Sequence, residues 1–533
     1  MRITMNYNVI NDPFIPVLDL DGQPHELGLR ELLRRAPMLR AVQDPSPTVE
    51  FGLYRLLTAL VLDIFRPRNT EDLADLLDAG TFDMAAADAY FQRYANRFDL
   101  FHPQHPFLQT GGMTAEADKP LAALLPTLPS GTNAGHFHHA HEKDFGVSPA
   151  AAARLLTLMA PFMTAGGAGL APSINGAPPW YVLIGGRNLF ETLCLNCPVP
   201  PFVPEGLTDM PPAWRNDQPP ATDRCTRTSL LEALTWRPRR VQLVPGEPGR
   251  CALTGRETPT LIRAMKFTAG ASCALTTWRD PSVAYRITKD GPIVLRPQEG
   301  KEVWRDTGPL ALLHEGEDGQ GDATVQYQRP RLVDQFATLS GDDWWSGRPD
   351  LAIVLYGMRT DLKMKVFEWQ REDLVLPVPL VVHSKFHGDA QAAMDSAGAV
   401  AMGLRAAIKK AYERDGAGNA QAFEERIAEA QRRFWADLRR PYEALLGRLA
   451  GLSVDENAAQ ITHLRDGWKA TVETLGREAF EDAIRDLDAD AKALKRRVEA
   501  RKEFHKRQFF AFATPDQRKP KKGKAAAAEA AVL

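Results

Sequence analysis

Cysteine is scarce. Five thiols in 533 residues cannot build the disulfide framework of a small secreted scaffold. Only Cys194 and Cys197 form a CxxC pair; Cys225, Cys251 and Cys273 are scattered, and no second pair completes a zinc ribbon. Buried free thiols are the expectation. Long apolar runs are missing too. The richest, Leu56 to Phe65, is interrupted by Thr58 and Asp63 and falls short of the ~18 residues that cross a bilayer. The opening MRITMNYNVINDP lacks the apolar core of a signal peptide. A cytoplasmic protein with no membrane partner is expected.

Catalytic signatures are also absent. There is no GxxxxGK[ST] phosphate loop, no GxSxG elbow and no HExxH. The cluster Gly166-Gly167-Ala168-Gly169 follows a helical pattern rather than a strand, and Pro172 stands where a dinucleotide fingerprint needs its third glycine. No cofactor is implied.

What is present is ordinary globular composition, 44% hydrophobic and 25% charged, in a chain long enough for two to four domains. The net charge of -2 hides an asymmetry. Residues 491–524 hold 13 Lys or Arg against 3 Asp or Glu, a net +10, which leaves −12 for the rest. Such a basic end invites an anionic partner, nucleic acid first, or is a solvated helix face running into a tail.

The pattern predicts an α+β fold. Asn8 to Leu20 reads as a short edge strand, because Pro13 and Pro16 suit an edge. The DLDG run at 19–22 then closes a hairpin. Glu50 to Phe65 carries Leu53, Leu57, Leu60 and Ile64 at helical spacing. Residues 101–146 are rich in His, Gly, Pro and Asn and read as long loops, with His102 and His105 in structural roles. Ser148 and Pro149 open one helix through Met163 that stops at the glycines. WYVLIGG, RRVQLV, SVAYRIT, GPIVLRP and LAIVLYG are strand-like. The expected organisation is a mixed α/β domain over 1–380, an antiparallel four-helix bundle over 381–512 and a basic low-complexity tail over 513–533.

Four features carry chemistry. His136, His138, His139 and His141, with Glu142 and Asp144, could ligate a metal, which would make a metal-dependent hydrolase; alternatively they form a loop that contacts RNA or protein. The glycines at 166, 167 and 169 either end a helix or let the backbone approach a duplex minor groove, whose acceptor code is degenerate. The turn Thr360 to Lys363, with Leu362 at its tip, could press an apolar wedge against a base pair, or be a plain hairpin with basic solvent-facing residues. Arg405, Lys409 and Lys410 on one helix and Arg432, Arg433, Arg439 and Arg440 on the next could follow a phosphate backbone, or simply be solvated.

Taken in order, NVINDPFIPV at 8–17, HPFLQTGG at 105–112, SGTNAGHF at 130–137, the glycine loop, Trp236-Arg237-Pro238 leading into VQLV, VWRDTGPL at 303–310 and YGMRTDLKMKVFEW at 356–369 resemble one family. It is the large subunit of the type I-E CRISPR surveillance complex Cascade, often called CasA. The resemblance implies a non-enzymatic subunit that binds guide CRISPR RNA and other Cascade subunits. It further implies reading of a protospacer-adjacent motif (PAM) in double-stranded target DNA, mainly from the minor groove. Duplex opening, holding of the displaced strand and docking of the CRISPR helicase-nuclease are implied as well. Carried onto this chain, the glycine loop is Gly166, Gly167 and Gly169, the hairpin lysine is Lys266, and the wedge falls on Asp361, Leu362 and Lys363, where the family pattern would have a glutamine. Asn133, His136, Phe137 and His138 belong to the loop that would contact guide RNA or neighbouring subunits. The arginines and lysines of the helical region would hold the displaced strand.

Overall fold

A computed structural model describes residues 6–114, 118–128, 145–166, 169–203, 210–274, 278–312, 326–341, 348–361, 366–412, 420–452, 458–487 and 490–513. The chain divides into two compact units, residues 1–376 and 377–533.

The first unit opens with the expected hairpin. Strands β1 (Ile15–Asp19) and β2 (Pro24–Leu27) flank a turn in which Asp19 Oδ1 accepts from the N–H groups of Asp21 and Gln23 at 3.0 and 2.8 Å. The edge assignment of this strand is wrong. β1 lies in the middle, between β2 and β3 (Leu39–Val42). Proline is tolerated there because the ladder to β3 begins one residue later, at Val17 with Val42. The missing N–H of Pro16 thus falls at the end of that ladder.

The helix α1 (Pro47–Phe65) is apolar on every side and buried over Thr48 to Asp63, as a core helix must be. Its three buried charges are all partnered. Glu50 accepts from Tyr356 Oη at 2.5 Å and Arg371 Nε at 3.0 Å. Arg55 pairs with Asp280 at 2.7 Å, and Asp63 with Arg215 at 2.5 Å. A buried charge without such a partner would cost several kcal/mol.

Among its described residues, the region read as long loops contains a short strand, β4 (Lys119–Pro120), and a 3-10 segment, Leu121–Leu124. The helix expected over 149–163 is two, α2 (Pro149–Leu156) and α3 (Met159–Phe162). Ser148 caps α2 by accepting from Ala151 N at 3.3 Å, and Thr157 Oγ1 folds back on the Arg154 carbonyl at 2.7 Å. Pro161 has no N–H for the Thr157 carbonyl, so a continuous helix would lose that bond.

Strand β5 (Tyr181–Gly185) is followed by β6 (Arg239–Pro245) and β7 (Ile262–Ala269). β7 is the centre of a three-stranded sheet, between β4 and β6. The long strands β8 (Asp350–Thr360) and β9 (Val366–Pro377) complete a sheet ordered β9, β8, β5. This sheet packs on α1, where the Phe51 ring stacks on Tyr181 at 4.5 Å and lies 5.2 Å from Tyr356. Gly357 is required in β8, since a Cβ there would come within 2.6 Å of the Trp180 ring. A further small sheet unites Tyr285–Thr288, Gly291–Val294 and Gln326–Gln328.

The second unit holds four long helices, α4 (His387–Tyr412), α5 (Ala420–Ala450), α6 (Ala458–Ala483) and α7 (Ala491–Phe512). α4 touches each of the others. Its Ala401 carbonyl accepts from Gln431 at 2.9 Å, its Ala393 carbonyl from Trp468 at 2.9 Å, and its Ala411 carbonyl from Arg496 at 3.2 Å. The apolar face of α5 is inward, with Ile427, Phe434 and Leu438 at most 1% exposed.

Candidate nucleic-acid interface

Four of the separated sequence landmarks meet around β6. The strand alternates, so Arg239, Val241 and Leu243 all face inward. An arginine in this apolar register must find acceptors inside. Arg239, 2% exposed, donates from Nη2 to the Thr164 carbonyl at 2.8 Å and from Nη1 to the carbonyls of Pro238, at 2.9 Å, and Ala171. Thr164 and Ala171 are the two stems of the glycine loop. Between them Gly166 N–H donates to the Leu170 carbonyl at 3.1 Å. Burial lowers the Arg239 guanidinium to about 10, so it is still charged at neutral pH. Gly169 is exposed, has φ +81, and a Cβ there would meet nothing within 4 Å. Its exposed backbone is therefore open to close approach. Gly167 lies outside the described residues.

The guanidinium of Arg239 also lies over the Phe267 ring at 5.9 Å, and Phe267 neighbours Lys266. Lys266 is mid-strand in β7, opposite Gln242, rather than in a turn. It is half-buried, and its Nζ donates to the Met113 carbonyl at 2.8 Å. Met113 N–H in turn donates to Gln242 Oε1 at 2.9 Å. The HPFLQTGG segment is bound to the same strand. Thr110 N–H donates to the Val241 carbonyl at 2.9 Å, and Leu243 N–H to Gln109 Oε1 at 2.7 Å. Arg237 Nη1 donates to the Gln109 carbonyl at 3.0 Å. Arg239, Gln242 and Met113 were not singled out from sequence; the signal available was the arginine in phase with Val241 and Leu243.

Asp361 directly follows β8 and is half-buried. The two strands around it fit the expected hairpin, while Leu362 and Lys363 lie outside the described residues. Beside the turn, Arg359 stacks over Phe367 at 4.8 Å. Asn133, His136, Phe137 and His138, and the histidine cluster as a whole, also lie outside the described residues. Among the described residues no group of three or more His, Cys, Asp or Glu could hold a metal, and no helix is long and apolar enough to cross a membrane. His102 is structural as expected, with Nδ1 accepting from His105 N–H at 3.0 Å. Cys194 and Cys197 are buried free thiols, raised by burial.

In the second unit the seven basic candidates separate into two kinds. Arg405 pairs with Glu424 at 2.7 Å, Arg432 with Glu429 at 2.5 Å, Arg433 with Asp482, and Arg439 with Glu443 at 3.1 Å. Lys409, Lys410 and Arg440 are exposed and have no carboxylate in ion-pair distance among the described residues.

Comparison with known proteins adds to this geometry. The family described as CRISPR-associated protein Cse1 matches residues 8–479. The chain belongs to this Cse1 family. A relative from Thermus thermophilus, CRISPR-associated protein CasA/Cse1, is 31% identical over 523 residues, which is 93% of this chain and 96% of that one. A crystal structure of Thermus thermophilus CasA superposes with a TM-score of 0.74 at 26% identity, covering 95% of this chain and 99% of that one. Thermobifida fusca Cse1 gives 0.75 at 23% identity over 95% and 98%. A chain of a CRISPR RNA-guided surveillance complex gives 0.71 at 20% identity over 94% and 99%. The Cse1 fold is thus the mixed helix and small-sheet architecture described above.

Proposed function

We propose that this chain is the large, non-catalytic subunit of a CRISPR RNA-guided DNA surveillance complex, and that it reads the PAM as a duplex. The reading rests above all on one observation: Arg239 ties both stems of the glycine loop to the sheet that carries Lys266. A glycine-rich loop tied at both stems can enter a minor groove, where backbone N–H groups meet purine N3 and pyrimidine O2 acceptors. Lys266, about 10 Å along the sheet from the Arg239 register position, would add a cation at the groove's edge. The hairpin at 361–363 would press between base pairs, an unstacking that costs a few kcal/mol and is offset by pairing of the opened strand with the guide.

In this reading the loop carrying Asn133, His136, Phe137 and His138 meets guide RNA or neighbouring Cascade subunits. The basic residues of α4 and α5 hold the displaced strand through phosphate contacts, which are independent of sequence and weaken with salt. The helicase-nuclease docks on the assembled complex, and this chain does no chemistry itself. The organisation proposed is the mixed domain to about residue 380, the helical unit to 512 and the basic tail beyond. The complex operates in the cytoplasm.

The test is a gel-shift series with the guide-RNA complex assembled with and without this chain, on duplexes with a permissive or scrambled PAM. Tight binding that needs both the chain and the permissive PAM is expected. Binding that is indifferent to the chain would overturn the reading.

A further inference from the structure

Beneath the HPFLQTGG segment lies a polar cavity of about 110 Å³, lined among others by Arg97, His105, Thr110, Trp214, Asp217 and Arg237. A trapped water needs roughly 10–15 Å³ on this measure, so the space is larger than one or two waters require. Two of its walls carry unspent donors. Arg237 is 9% exposed and, among the described residues, its guanidinium makes one hydrogen bond, to the Gln109 carbonyl at 3.0 Å. Among the same residues no carboxylate lies within ion-pair distance of it. Glu232 acts on it only through space, and that carboxylate already accepts from Thr228 Oγ1 at 2.9 Å. Burial lowers the Arg237 guanidinium to about 10, which leaves it charged at neutral pH. The second donor is Thr110. Its N–H donates to the Val241 carbonyl, but its hydroxyl is buried and, among the described residues, has no partner.

The remaining charges are compatible with an anion. Arg97, 18% exposed, pairs with Asp217 at 2.5 Å, and Asp217, 65% exposed, stays in water. A guanidinium has five N–H donors and can serve a carboxylate and a second oxyanion together. His105 is lowered by burial first and by the Arg97 charge second, with the Asp217 charge opposing. Trp214 is a wall, since its indole N–H is spent on Tyr90 Oη at 2.7 Å. An apolar guest would leave a buried guanidinium and a hydroxyl unpaired, so the fitting ligand is a compact oxyanion.

We propose that this cavity binds a phosphate group, with Arg237 and the Thr110 hydroxyl as its innermost donors and Arg97 at its mouth. The phosphate is either the terminal 5′-phosphate of an RNA strand or free inorganic phosphate. The inference does not depend on the reading of the glycine loop.

The test is calorimetric titration of the full chain with inorganic phosphate, and separately with a short RNA carrying or lacking a 5′-phosphate. Saturable binding of either phosphate-bearing probe is expected, with the dephosphorylated RNA weaker. Binding of inorganic phosphate identifies the free anion as sufficient, whereas binding of phosphorylated RNA alone identifies a strand as the source; both support the site. Arg237→Gln should abolish binding. Because that variant removes a buried tether, Thr110→Val is the decisive companion. Losing an unpartnered hydroxyl should leave the melting temperature equal or higher, while affinity falls about tenfold. No binding of any phosphate-bearing probe, or unchanged affinity in a folded Thr110→Val, overturns the proposal.

Discussion

Arg239 and the Thr164 carbonyl meet at 2.8 Å across 75 residues of sequence. That contact, with its counterpart at Ala171, ties down the two stems of a glycine-rich loop. Replacing Arg239 by Met strips a charged donor from three carbonyls, of which those of Thr164 and Pro238 are buried. At about 1–3 kcal/mol for each unsatisfied group, the loss should be roughly 2–4 kcal/mol. Urea unfolding of the full chain would measure it, and PAM discrimination should fall in parallel. Discrimination unchanged despite the stability loss would separate the clamp from function.

Gly169 separates backbone from contact effects. Its φ of +81 disfavours any side chain, yet nothing crowds a Cβ there. Gly169→Ala should therefore cost only about 1 kcal/mol of stability. In the proposed reading, Gly169→Asp would put a carboxylate against groove acceptors and phosphates. PAM-dependent binding should drop in Asp far more than in Ala. Equal binding by the two variants would take this glycine out of the interface.

Lys266 spends one N–H on the Met113 carbonyl, which orients the amine without neutralising it. Lys266→Ala should weaken binding less than Gly169→Asp. It should also reduce the slope of log K against log salt by about one unit. A slope identical to that of the parent would mean the amine meets no phosphate.

The Arg55–Asp280 pair, with side chains 2% and 1% exposed, predicts an acid-sensitive fold. Burial alone would raise the Asp280 carboxyl. The charge of Arg55 and hydrogen bonds from Arg55, Asn175 and Ser282 outweigh it and hold the group below its ordinary value. This contribution is fully present above the unfolded-state pKa of about 4. It disappears as pH falls through the lower folded-state value. Arg55→Met should cost roughly 3–5 kcal/mol at neutral pH, with the deficit shrinking in acid. A deficit that does not change with pH would contradict this account.

In the helical unit, Arg432, Arg433 and Arg439 are engaged with carboxylates, while Lys409, Lys410 and Arg440 have no such partner among the described residues. Alanine at the latter three should reduce the salt slope of displaced-strand binding by up to about three units. The engaged arginines should change it less, because removing one also frees a repelling carboxylate. Filter binding across a salt series distinguishes the sets, and equal slopes in both would discard the distinction.

Much of this protein was legible in its residues. Periodicity located α1 and the four terminal helices, because a helix that buries one face or all faces must place apolar residues at helical spacing. Strand-like runs of β-branched and aromatic residues between turns located β5, β6 and β8. The Ser148 cap and the buried thiols were readable from local chemistry alone, and the order of short motifs pointed to the family. Local rules misjudged Pro16 and the helix over 149–163. A strand's place in a sheet depends on partners distant in sequence, and the break near Thr157 combines the missing N–H of Pro161 with the turn of the Thr157 hydroxyl onto the Arg154 carbonyl.

The candidate interface was decided by tertiary structure. Sequence could nominate the glycines and Lys266, but not join them. The joining runs through Arg239, Arg237, Gln242 and Met113, whose partners are 75, 128, 129 and 153 residues away. Local pattern determines which backbone conformation and which face are favoured, since those energies act between near neighbours. Which buried donor finds which carbonyl is settled only when the whole chain closes, because an unpaired polar group inside is too costly to leave.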